Sequence, residues 1–257
     1  MTLPETDILG LRIHAVDLAA ALAWAEQSIR QARPAYVCHV NVHTLVESWR
    51  DAALHAALSS ATLAAPDGMP LVWQARRQGQ PGTGRVYGPD FMTALLASTA
   101  QWTDRPCRHF FYGSTPAVMQ GLLAAIRERH PATVIAGALT PPFRPLTAEE
   151  MAQHRAAIDA SEADVVWIGL GAPRQEIWMH ANRPLLRAPL LVGVGAAFDF
   201  IAGNKRQAPL WMQRAGLEWC FRMATEPARL GPRYASTIPP FLWRLLRAEF
   251  AAWGARR

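Results

Sequence analysis

Apolar positions along the chain alternate between two rhythms. Short continuous runs, such as Val165 to Ile168 and Leu190 to Val194, read as strands buried on both faces. Stretches with apolar residues three and four apart, such as Leu18, Ala21, Leu22 and Ala25, read as helices with one buried face. The spacing predicts a first strand or hairpin arm over 10–16, then a helix capped by Asp17 and running to about Gln31. A strand over 35–42, a single amphipathic helix over 44–58 and a short strand over 62–65 follow, the last ending at Pro66-Asp67-Gly68. Residues 69–77 read as a helix, 78–84 as a breaker-rich loop, and Pro89 opens a helix to about Ala100. The second half repeats the pattern. Strands are predicted over 108–112 and 133–136, and helices from Pro116 to Arg129 and from Thr147 to about Ala160, the last opened by a Thr147/Glu150 capping box. The strand 165–168, a helix over 174–182 and a strand over 190–195 complete it. Strands alternating with helices predict an α/β fold: a parallel sheet flanked by helices on both faces.

On such a sheet, ligands sit beyond the carboxyl ends of the strands. The polar residues at those ends are therefore the candidates: His39 and Asn41, Asp67, Gly113-Ser114, Gly169 to Gln175, and Asp199. Gly169 and Gly171 follow a strand, and Pro173 suits the first turn of the next helix. This is either an ordinary strand-to-helix turn or a cradle of free N–H groups for a phosphate, with Arg174 and Gln175 at its mouth. Asp67 is either a turn former between Pro66 and Gly68 or a carboxylate in a cleft, able to take a proton from an attacking hydroxyl. His39 and Asn41 share a strand face, and His39 reads equally as a substrate contact, an aid to a base, or a half-buried structural histidine. Arg85 is a contact for an anionic ligand or a solvated cation, and Asp199 a partner for a base edge or ribose, or a cap.

Charge divides the chain unevenly. Residues 204–257 hold ten Lys/Arg against three Glu, a net of +7, while all 257 residues sum to +6. The basic character therefore belongs to the tail, which also carries Trp211, Trp219, Phe221, Tyr234, Phe241, Trp243, Phe250 and Trp253. From Pro240 the apolar residues Phe241, Leu242, Leu245, Leu246, Phe250 and Trp253 recur near helical spacing. This predicts an amphipathic helix, lying either on the protein's own core or on an anionic membrane surface. The expected organisation is residues 1–203 as an α/β unit and 204–257 as a basic, aromatic-rich helical appendage.

Several classes of function are disfavoured. Cys38, Cys107 and Cys220 have neither pairing nor metal-ligand spacing, so neither a disulfide framework nor a structural zinc is expected. The first twenty residues lack a signal-peptide core, and no apolar run is long enough to span a bilayer, which leads us to expect a cytoplasmic protein. No nucleic-acid motif accompanies the basic tail. The Gly169-Leu-Gly-Ala-Pro-Arg174 turn has arginine where a dinucleotide fingerprint has its third glycine, which argues against a nicotinamide-dependent oxidoreductase.

A set of motifs resembles, in order, the WecG/TagA/CpsF family of bacterial glycosyltransferases, glycosyltransferase family 26. They are Asn41-Val-His-Thr-Leu, Ala65-Pro-Asp-Gly68, Arg85-Val-Tyr-Gly88, Gly169-Leu-Gly-Ala-Pro-Arg-Gln-Glu176 and the segment Val194 to Gly203. Arg206 to Gln213, Gly216-Leu-Glu-Trp219, Arg222 and Glu226-Pro-Ala-Arg229 follow, so the resemblance covers about residues 8–235. It implies a Rossmann-like fold. It also implies an inverting, metal-independent transfer, without a cofactor, of an N-acetylhexosamine, hexose or hexuronic acid. The donor is a UDP-sugar and the acceptor a polyprenyl-diphosphate-linked saccharide at the inner face of the cell membrane. By the same resemblance Asp67 is the base and Asn41 holds the sugar. Gln175, Glu176, Asp199 and the Gly169–Gly171 turn hold the nucleotide, and Arg222 and Arg229 steady the departing diphosphate. The alternative is a nucleotide-sugar-binding scaffold without catalysis.

Overall fold

A computed structural model describes residues 2–254, with side chains through Phe250. The Trp253 side chain of the predicted apolar stripe, and Arg256 and Arg257 of the basic tail, lie outside the described residues. The chain opens with an antiparallel hairpin, β1 (Glu5–Ile8) and β2 (Leu11–His14), turned through Leu9 and Gly10, both at positive φ. The first half continues as α1 (Leu18–Arg30), β3 (Ala35–Val40), α2 (Val42–Ser48), α3 (Ala52–Ser59), β4 (Leu63–Pro66), α4 (Met69–Arg77) and α5 (Gly88–Thr99). The second half is β5 (Arg108–Gly113), α6 (Pro116–Arg129), β6 (Val134–Leu139), α7 (Ala148–Ala160), β7 (Val165–Gly169), α8 (Arg174–Asn182) and β8 (Leu190–Gly193). α9 (Ala197–Ile201) closes the body, and the tail holds α10 (Leu210–Arg214), α11 (Glu218–Thr225) and α12 (Pro227–Gly254).

Strands β3 to β8 form one parallel six-stranded sheet in the order β4-β3-β8-β7-β5-β6. The predicted α/β architecture, Rossmann-like with helices on both faces, is what the chain adopts. One face packs Trp24, Phe91, Leu122 and Phe198, from α1, α5, α6 and α9, on Val37, Phe111 and Trp167. The other packs Leu45, Leu54, Leu71, Ile158, Trp178 and Phe241 on Cys38, Val40 and Tyr112. Phe241 belongs to α12, so the tail helix closes this second face instead of standing apart from it. Parallel register brings the carboxyl ends of all six strands to one edge of the sheet.

Two elements differ from the sequence reading. The single helix expected over 44–58 is two, because Asp51 accepts from the N–H groups of Ala53 and Leu54 and starts α3 afresh. The tail helix begins at Pro227, not at Pro240. Pro232, Pro239 and Pro240 lie within it, although each withdraws an N–H donor and counts as a breaker in sequence.

Candidate active site

Asp67 follows the last residue of β4, and its N–H still donates to the Val40 carbonyl at 2.8 Å, so the carboxylate leaves from the very end of the ladder. Beside it, the N–H of Val86 donates to the Pro66 carbonyl at 2.8 Å. The segment 85–87 thus runs along the carboxyl end of the edge strand, and Arg85 and Tyr87 come to flank Asp67. Asn41 follows β3 next door. Its side-chain oxygen is occupied in capping α2, accepting from His43 and Thr44 at 3.1 and 3.2 Å. Its Nδ2 reaches Asp67 Oδ2 at 3.4 Å. Asp67 Oδ1 is occluded and has no partner. Burial pushes this carboxyl up to about 6, a rise enlarged by the Glu218 charge and opposed by Arg85, Asn41 and Arg222.

Asp67, Asn41 and Arg85 line a cavity of about 340 Å³. Its opposite wall comes from the tail: Glu218, Trp219 and Arg222 of α11, and Arg233, Tyr234, Thr237, Ile238, Phe241 and Leu242 of α12. The cavity therefore carries the Asp67 carboxylate, the guanidinium groups of Arg85, Arg222 and Arg233, and apolar residues of α12. Arg222 and Arg233 are half-buried, and burial together with Arg222 and Arg229 lowers the Arg233 pKa. The tail leaves Leu210, Trp211, Trp219, Leu242, Trp243, Leu246 and Phe250 exposed, Trp219 and Leu242 at the cavity, and Trp73 of α4 is also exposed. Among the described residues no helix is long and apolar enough to cross a membrane.

The remaining candidates lie elsewhere along the same edge. His39 is buried edge-on to Phe91, and its Nδ1–H donates to the Val86 carbonyl at 3.0 Å. Burial holds the ring down at about 4, so it is neutral at pH 7, and it does not line the cavity. Gly169 is glycine for packing: a Cβ there would come within 2.5 Å of the Phe198 ring. Gly171 takes a φ of +76° and faces open space. Arg174 is exposed, its Nη2 donating to the Leu170 carbonyl at 3.1 Å. Gln175 and Glu176 turn inward. Gln175 Nε2 donates to Glu176 Oε1 at 2.8 Å, while Gln175 Oε1 and Glu176 Oε2 are buried without partners. Burial raises Glu176 to about 7, against the Gln175 hydrogen bond. Asp199 is half-buried on α9. Arg229 is exposed and bound to Glu226 at 2.6 Å, outside the cavity.

The model of the glycosyl transferase WecG/TagA/CpsF family matches residues 6–254. The chain belongs to this family. It is a glycosyltransferase. Two relatives are similar over most of their length, and both are named N-acetylglucosaminyldiphosphoundecaprenol N-acetyl-beta-D-mannosaminyltransferase. The one from Bacillus spizizenii is 31% identical over 222 residues, covering 86% of this chain and 82% of its own. The one from Bacillus subtilis is 30% identical over 211 residues, covering 79% and 78%.

Within this WecG/TagA/CpsF glycosyltransferase, the cavity residues to which sequence reasoning gave no site role include Tyr87, Glu218, Arg233 and Tyr234. Arg233 stands four residues after Arg229 in the same helix, yet Arg233 lines the cavity while Arg229 is turned to Glu226. Tyr87 and Glu218 sit within quoted motifs, but nothing in their spacing says that they meet.

Proposed function

We propose that this enzyme transfers an N-acetylhexosamine from a UDP-sugar to a hydroxyl of a saccharide carried on a polyprenyl diphosphate, inverting the anomeric centre without a metal. The observation that carries the reading is Asp67, a half-buried carboxylate with one unpartnered oxygen, in a cavity also lined by Arg222, Arg233 and apolar residues of the tail. In this scheme the acceptor hydroxyl gives its proton to Asp67 as its oxygen bonds to the anomeric carbon. The bond to the donor diphosphate breaks on the opposite face, and a single displacement inverts the centre. Arg222 and Arg233 meet the charge that builds on the leaving group, a role for which fixed guanidinium groups in a water-poor site are well suited. The relatives' names support the acceptor and sugar class.

The strand order supports a donor laid along the sheet edge. Asp67 ends β4 and Gly169 ends β7, three strand steps apart, or roughly 14 Å at ~4.8 Å per step. That span suits a nucleotide diphosphate sugar with its nucleotide toward Gly171, Gln175, Glu176 and Asp199 and its sugar at Asp67 and Asn41. The exposed Trp211, Trp243, Leu246 and Phe250, with Arg244 and Arg247 among them, suit a peripheral contact with an anionic membrane, where the lipid-linked acceptor resides. The boundary near residue 203 then separates a donor-binding body from an appendage that completes the acceptor side. The test is Asp67→Asn in the full chain. Titrated UDP-sugar should bind nearly as tightly as to the parent, while turnover falls at least about a hundredfold. Retained turnover refutes the role of Asp67.

A further inference from the structure

Glu218, the first residue of α11, has no part in the scheme above, yet both of its oxygens are engaged. Oε1 accepts from the Tyr87 hydroxyl at 3.0 Å, and Oε2 accepts from Arg85 Nη2. The pair is shielded, with Arg85 17% and Glu218 13% exposed. Arg85 sits over the Tyr87 ring, its guanidinium carbon 4.0 Å from the centroid. Its Nε donates to the backbone carbonyl of Asp67 at 2.7 Å, and its Nη1 points to Gln213 Oε1 at 3.5 Å. A guanidinium thus sits beside Asp67, but its hydrogen bonds go to the Asp67 backbone, Gln213 and Glu218, and none goes to the Asp67 carboxylate.

We propose that Glu218 is a positioning residue that holds the Arg85 guanidinium away from the Asp67 carboxylate and cancels its charge, so that Asp67 stays basic enough to take the acceptor's proton. The inference rests on the reading of Asp67 as the base. A carboxylate next to an uncompensated cation is a weak proton acceptor, its pKa lowered by about 1–3 units. Besides Arg85 and Glu218, Arg222 acts on Asp67, and Arg233 and His43, the latter held neutral by burial, line the same cavity; Asn41 is the neutral hydrogen-bond partner of Asp67, and Tyr87 is kept neutral by burial and by Glu218. Asp90, on α5, faces the same Arg85–Glu218 pair. The directions agree: Arg85 pulls the Asp67 pKa down and Glu218 pushes it up. Because Glu218 belongs to the tail, the appendage then sets the strength of a base held by the body.

The experiment is the pH dependence of kcat/KM for the full-length enzyme and its Glu218→Gln, Arg85→Gln, Tyr87→Phe and Asp67→Asn variants. The parent should lose activity below about pH 6, where Asp67 gains a proton. Glu218→Gln should move that limb down by about one pH unit. Arg85→Gln, which leaves the Glu218 charge uncompensated, should move it up, and it reads the same coupling with opposite sign if Glu218→Gln fails to fold. Tyr87→Phe removes a hydrogen bond but no charge and should leave the limb in place. A Glu218→Gln enzyme with lowered activity and an unmoved limb overturns the inference, making Glu218 only a clasp on the tail. An active Asp67→Asn enzyme instead overturns the base itself, so the two failures are told apart.

Discussion

A carboxylate held in a desolvated place should weaken the fold that holds it, and for Asp67 the size can be worked out. Folding raises its pKa from 3.8 to about 6, chiefly by burial. Below pH 3.8 the group is protonated in both states, and folding carries no penalty. Between 3.8 and 6 the unfolded chain ionises while the folded one does not, so stability falls as pH rises. Above pH 6 the penalty is complete. At about 1.4 kcal/mol per pH unit it reaches about 3 kcal/mol, an upper bound because part of the residue meets water. Asp67→Asn removes the charge and keeps the shape, and the new carboxamide oxygen can still accept from Asn41 Nδ2. The variant should therefore be more stable than the parent at pH 8 by up to about 3 kcal/mol, and by no more than about half a kcal/mol at pH 4. In urea denaturation this is a raised midpoint with an unchanged slope. In a thermal scan at pH 8 it is a gain of roughly 6–12 °C for a chain of this size. A more stable and much less active variant is the pattern of a site where function is kept against stability. Equal stability at pH 8, or a gain of the same size at both pH values, would refute the claim that desolvation loads this carboxyl.

Three further outcomes are expected. Glu176→Gln should stabilise the protein by up to about 3 kcal/mol above pH 7 and little below pH 4.5, since burial raises this group from 4.5 to about 7; urea titrations at pH 4 and pH 8 check it. Gly169→Ala should cost about 1–3 kcal/mol from its clash with Phe198, and Phe198→Leu in the same chain should recover part of the loss; no recovery would mean that the glycine serves something other than packing. Replacing Trp243, Leu246 and Phe250 together by serine removes three exposed apolar groups. If they enter the interface at about 2 kcal/mol each, sedimentation with phosphatidylglycerol vesicles should fall by far more than tenfold, whereas undiminished binding would rule out this face as the membrane contact.

Much of the body was legible because local rules agree with the final packing. The apolar runs became buried strands, and Asp17 and the Thr147/Glu150 pair cap the helices that they predict. The misreadings come from competing local signals. Arg50-Asp51 does not break a helical pattern, yet Asp51 bonds forward to Ala53 and Leu54 and restarts the helix. Pro232, Pro239 and Pro240 do break a pattern, yet α12 runs through them while Leu230, Thr237 and Phe241 stay buried. At Gly169 the sequence shows a glycine after a strand but not the Phe198 ring that leaves no room for a Cβ. The meeting of Arg85, Tyr87 and Glu218 was not legible at all. It depends on the segment 85–87 lying against Pro66 and on the tail folding back more than a hundred residues later, and neither fact has a period or a motif.

The position of Asp67 in the sheet accounts for the tail's part in the site. β4 is the edge strand of the six, so its carboxyl end has a neighbouring strand on one side only. Along its outer side the β1–β2 hairpin covers the middle, where the Ala64 N–H donates to His14 Nδ1 at 3.0 Å, and residues 85–87 cover the end. Past Asp67 there is no further strand to supply a wall. A carboxyl at the end of an interior strand such as β7 would be walled on both sides, with room for a donor but little approach for a second, lipid-carried substrate. At the edge the approach is open, and α11 and α12 supply the missing wall, with Arg222, Arg233 and the apolar side of α12. In the proposed reaction the sheet interior receives the nucleotide and the edge receives the acceptor. The cations and the charge-cancelling Glu218 come from the same segment that would rest on the membrane. Truncation after Gly203 should therefore remove vesicle binding and transfer together, while UDP affinity, which the proposal assigns to the interior strand ends, should fall much less.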